Sequence, residues 1–348
     1  MPFRLLMAIS FLAAAAAAWI PAGPLNGQPV QGRSASCDPT DFTGRVSLLH
    51  SSSAQLTPQM IQDLGDAYCH APEIFRHRLD GIDFIFVDAT ACRGGKLDQC
   101  DAGAGDQAAV QSWGQRDAWG YTEIGIPAGL WPPNQNAEPY DKYEAEMLNY
   151  LVGWSDHDSP LGFAPPAGSV ATTPWMTVLA ALAHEAGHVV WFEVNARGGY
   201  GRAYDFKRLN DCSFFLGWRD QDPKALSRAD RWRPFGDRST EAGNEHANPP
   251  TFSADYAGAT TDALRAALLA QLFASGQPWA SYLGANAPDE DFVETYKFAI
   301  LVDAGLASMP ITLQFADGTS SASDIAADFL AGRKQDLASK VKCLRRWI

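Results

Sequence analysis

The chain is poor in histidine, with seven in 348 residues, and it has no surplus of positive charge: 40 acidic residues stand against 27 basic ones, a net charge of −13. That balance excludes partners, because so acidic a chain repels the phosphates of nucleic acid and of anionic lipid. A long membrane-spanning run is also lacking at the N-terminus. The apolar stretch Leu5 to Ala18 falls short of the roughly 20 residues that cross a bilayer. It follows Arg4, and small residues at Ala16, Ala18 and Ala22 suit a cleavage site, so residues 1–22 read as a secretory signal peptide. The mature protein is expected to be secreted or periplasmic, with no membrane attachment after cleavage. No apolar run directly precedes Cys37, which argues against a lipid-modified cysteine. There is no Cys-x-x-Cys pair and hence no thiolate metal site. The six cysteines, Cys37, Cys69, Cys92, Cys100, Cys212 and Cys343, are an even number in an exported chain, and three disulfides are expected, with Cys92 and Cys100 as a local pair. Internal repeats are missing too, and the aspartates between Cys92 and Gln111 do not follow the calcium-loop spacing, so that segment reads as solvated loop.

Against the scarcity of histidine, two of the seven fall together in His184-Glu185-Ala186-Gly187-His188. They interrupt an otherwise almost wholly apolar segment, Trp175 to Val194, that reads as a helix buried on most faces, started by Thr173 as cap and Pro174 at its first position. At about 3.6 residues per turn the two histidines share a face while Glu185 sits about 100° round. Burying two imidazoles and a carboxylate costs several kcal/mol unless something pairs with them, and a zinc ion would. The alternative is a pair of hydrogen-bonded core histidines beside an unrelated glutamate.

Two histidines leave a catalytic zinc short of a third protein ligand. Trp191 and Val194 occupy the places where a metzincin needs glycine and histidine, so the ligand must be distant. Glu290 and Glu294 lie one turn apart in a predicted helix with apolar positions Phe292, Val293, Tyr296 and Phe298. Glu290 is the leading candidate for the ion and Glu294 for an outer hydrogen bond to a zinc-bound histidine. Glu245, His246 and Asp262 remain as rivals, Asp262 being also explained as a helix N-terminus.

His184-Glu185-x-x-His188, with Ser281-Tyr282, Asn286 and Glu290-x-Phe292-x-Glu294 downstream, resembles the gluzincin metallopeptidases, particularly the catalytic domain of the lethal-factor type. The resemblance covers two short blocks. It implies a zincin-like fold, Zn2+ held by His184, His188 and Glu290, Glu185 as general base, and Tyr282 as a transition-state donor, with Tyr256 and Tyr296 as substitutes. No Gly-x-Met-Glu-Asn motif of the aminopeptidase branch is present.

The expected fold class is α+β. Residues 23–36 are expected to be flexible. An N-terminal α/β subdomain, 37–170, opens β-α-β with a strand at Val46 to His50, a helix capped by Thr57, and a strand at Ile82 to Asp88. Thr122 to Pro127 reads as an edge strand, on account of Pro127, and Glu138 to Val152 as a helix; residues 153–173 look like a boundary. Residues 171–348 hold the zinc helix and a mostly helical remainder, with Ala203 to Trp218 mixed in character, Asp220 to Pro250 irregular, and helices at Asp262 to Ser275, Pro288 to Asp303 and Ala322 to Leu344. The expected activity is that of a secreted, monomeric zinc endopeptidase acting on a peptide or protein. The alternatives are a non-catalytic extracellular binding protein with a structural metal, and a zinc amidase acting on cell-wall peptides.

Overall fold

The computed structural model describes residues 37–100, 112–117, 119–152, 161–163, 165–195, 218–220, 232–234, 261–274, 276–285, 288–315 and 318–345. The leader, the 23–36 segment, residues 153–160 of the expected 153–173 boundary, most of 203–250, and Cys212, Glu245, His246, Tyr256 and Asn286 lie outside these residues. What is described is mixed α+β, in agreement with the expected class.

The chain opens with helix α1 (Thr40–Arg45), strand β1 (Val46–Leu49), helices α2 (Pro58–His70) and α3 (Glu73–Asp80), and strand β2 (Phe84–Asp88). Thr57 caps α2 as expected, its hydroxyl accepting from the Met60 amide at 3.2 Å with Pro58 at the first position. Strand β1 stops one residue early, because His50 turns the backbone to φ 53°. After β3 (Trp113–Arg116) and β4 (Thr122–Pro127) the sheet order is β1-β2-β4-β3, with the first three strands parallel and β3 antiparallel. Ile85, Val87, Ile124 and Ile126 alternate onto the buried face.

The edge-strand reading of Thr122–Pro127 is therefore corrected. Strand β4 is flanked by β2 and β3, and Pro127 is tolerated as its last residue; among the described residues the edges are β1 and β3, the latter a strand that the sequence does not announce.

Helix α4 (Tyr140–Val152) and β5 (Leu161–Phe163) lead to α5 (Pro174–Asn195), which packs against α2, β3 and β4. The short pair β6 (Trp218–Asp220) and β7 (Trp232–Pro234) follows, then α6 (Asp262–Phe273) and α7 (Pro288–Asp303), the last lying along α5. Asp262 is the first residue of α6, with Thr261 as its cap accepting from Leu264. The last expected helix, Ala322 to Leu344, is in fact a strand end and two helices. Strands β8 (Ile311–Gln314) and β9 (Ser320–Ser323) form a hairpin that β5 joins, and α8 (Ile325–Leu330) is separated from α9 (Gln335–Leu344) by Gly332 at φ 73°.

Cys37 is bonded to Cys69 and Cys92 to Cys100, the latter as expected; Cys343 is also disulfide-bonded. Such bonds suit an oxidising compartment. Among the described residues no helix is long and apolar enough to cross a membrane.

Candidate metal centre

Helix α5 is buried through most of its length, from Met176 to Trp191, which leaves His184, Glu185 and His188 to face α7 from within the core. Gly187 explains why α7 comes so close. A Cβ there would lie 3.3 Å from the Val293 Cα and 3.4 Å from the Tyr296 ring, so glycine in the middle of the motif lets the two helices press together. Glycine at 114 does the same for the sheet, since a Cβ on β3 would overlap the Glu185 carbonyl oxygen and meet the His188 Cβ at 3.0 Å.

This packing brings the predicted ligands into one group. His184 Nε2 and His188 Nε2 are 3.2 Å apart, and each is 3.8 Å from an oxygen of Glu290. Among the described residues His184, His188 and Glu290 form the one set of three donors able to hold a metal ion. The donors fit zinc: two ligands at about 2.0–2.1 Å on a tetrahedral ion sit about 3.3 Å apart. Behind them, His184 Nδ1 donates to Glu294 Oε1 at 2.6 Å, which orients the ring with Nε2 toward His188. Lys297 Nζ holds the other Glu294 oxygen at 2.8 Å and donates to Glu144 Oε1 on α4 at 3.1 Å.

Glu185 is 2 % exposed, and its Oε2 has no hydrogen-bond partner among the described residues; its Oε1 is 3.9 Å from His184 Nε2. Burial pushes its carboxyl up to about 8, against the pull of His184. Burial works against the His184 cation, but Glu185 and Glu294 outweigh it and raise the imidazole to about 9. Glu294 is pushed up by burial yet held well below the usual carboxylate range by Lys297 and His184.

The site opens on a cavity of about 270 Å³. Tyr282 lines it, 7 % exposed, with burial raising its hydroxyl to about 12. Tyr296 does not share that role, being packed in the core edge-on to Phe75. Sequence reasoning missed Tyr140, Tyr143, Glu144 and Lys297, which also line the cavity. The first three recur at helical spacing on α4, and Lys297 stands three residues after Glu294; both patterns were legible, but a lysine in a helix is more often solvated.

Comparison of the chain with protein-family models, with curated proteins and with solved structures gave no match.

Proposed function

We propose that the chain is a secreted zinc-dependent endopeptidase with a zincin-like core of the gluzincin kind. The observation that supports it most is the meeting of His184, His188 and Glu290 around one point, with Glu185 beside them and Glu294 behind. When bound, zinc would supply Lewis acidity and lower the pKa of water toward about 7. Glu185 takes the proton of the attacking water and passes it to the leaving amine. Tyr282 donates its hydroxyl to the oxygen of the attacked carbonyl as charge develops there.

Substrate placement follows from the walls. Strand β3 runs beside Glu185 and His188 and, among the described residues, pairs only with β4, so its outer edge suits an extended peptide. Met147, Leu148, Phe298, Leu301, Leu306 and Met309 make the adjoining cavity largely apolar and suit a bulky apolar side chain.

The test is metal analysis of the mature protein together with hydrolysis of denatured casein. About one zinc per chain is expected. Glu185→Gln should keep the zinc and lower turnover by about 100-fold or more. A variant that turned over like the wild type would remove Glu185 from the mechanism, and a metal-free wild type that cleaved equally well would remove the centre.

A further inference from the structure

Helix α9 buries Leu337, Lys340, Val341 and Leu344 along one stripe, the spacing of a core-facing helix, with a lysine where an apolar residue belongs. Lys340 is 2 % exposed. Its Nζ lies 2.7 and 2.6 Å from the two oxygens of Asp291 and 4.4 Å from the centre of the Trp279 ring. Asp291, 1 % exposed, also accepts from Thr295 Oγ1 at 3.4 Å, within α7. At the start of the same helix, Lys334 Nζ donates to the carbonyls of Ala274 and Gln277 at 3.0 and 3.2 Å.

These contacts converge on two places that matter. Asp291 is the residue next to Glu290, in the first turn of α7, and Trp279 stands in the segment that leads to Tyr282. Stability gives no reason for the lysine, since replacing a buried ion pair by apolar groups of similar volume is often neutral or favourable. What an ammonium gripping both carboxylate oxygens provides, and a methionine does not, is direction.

We propose that Lys340 is a positioning residue: by holding Asp291 and Trp279 at once, it fixes the first turn of α7, and so Glu290, relative to the segment that carries Tyr282. This rests on the metal-centre reading above. The helix that contributes no ligand then controls how tightly the ligands close on a cation.

The experiment uses the full mature chain and Zn2+ itself, with affinity read by competition against a chromophoric chelator. The paired variant Asp291→Leu/Lys340→Met removes the ion pair without stranding either charge. It should keep its circular dichroism and cooperative melting but bind zinc about 10 to 100-fold more weakly, as partners outside the ligand set do. At saturating zinc it should lose kcat with little change in KM, because the Tyr282 segment is loosened. Lys342→Met, at an exposed position of the same helix, should bind like the wild type. A folded paired variant with wild-type zinc affinity would overturn the proposal while leaving the metal centre intact; a wild type that binds no zinc would overturn both. If the pair fails to fold, hydrogen exchange of the wild type decides, because coupling is reciprocal. Zinc should then slow exchange in residues 335–344 and 276–285 more than in 40–49. Equal slowing in all three would sink the idea.

Discussion

Helix α7 carries buried charge in two directions. Toward α5 and α4, Glu290, Glu294, Glu185 and Glu144 line the cavity, and Lys297 pairs with Glu294 and Glu144. Toward α9, Asp291 meets Lys340 at 2.6 Å. In the second, an ammonium grips both oxygens of one carboxylate. In the first, a carboxylate stands beside two imidazoles that face each other at 3.2 Å, a donor set that could hold a cation. One helix thus shows a closed ion pair on one side and a cluster of candidate metal donors on the other.

The sharpest way to break this comparison is to remove the third candidate donor from the cavity side. Glu290→Ala should lose zinc outright, measured as metal per chain after dialysis; full occupancy would move the third ligand to Glu245, His246 or Asp262. Tyr282→Phe tests the donor without touching the charge. It should keep zinc and fold while turnover falls by about 100 to 1000-fold, and an unmodified rate in the zinc-loaded variant would pass the role to another group. Glu294→Ala should weaken zinc binding by about 10 to 100-fold, since the imidazole keeps its place but loses the carboxylate that orients it. If zinc bound to that variant with wild-type affinity, the 2.6 Å bond to His184 would be structural only.

The smallest effect is on the metal-free protein. Glu185 titrates near 8 in the folded state against 4.5 for the free side chain, so its contribution to stability is whole below pH 4.5 and is lost as pH rises through 8. His184 adds a loss in the same direction, up to about 9. Metal-free Glu185→Gln should therefore melt above metal-free wild type at pH 9, with a smaller gap at pH 5. A gap that did not change with pH would mean that Glu185 is not held in an environment hostile to its charge.

Legibility in the sequence followed the same physics. The helix with the histidine pair was plain because a start at Pro174 precedes a mostly apolar run in which His184, Glu185 and His188 stand together, and Glu290 with Glu294 stood out by one-turn spacing in an apolar helix. Strand β3 was not legible, because Trp113–Arg116 is four residues long and half of it is glycine and arginine. Pro127 pointed to an edge that belongs to its neighbour, since a proline at a strand's last residue says nothing about what lies beside the rest. Lys340 escaped because a buried lysine is recognised by its partners, and Asp291 and Trp279 are far away in the chain; Lys297 escaped although Glu294 is three residues away, because such a pair is usually solvated.

Gly114 gives the site a property that no ligand supplies. Because β3 and α5 touch backbone to backbone at Glu185, the sheet acts as a rigid anvil behind the helix, and the gap between them has no slack. One added methyl group at that point would change no charge, donor or acceptor, yet it would have to displace either the strand or the turn of helix between Glu185 and His188. Position 114 is thus a mechanical lever on the chemistry, where the smallest side chain alone lets the machinery close.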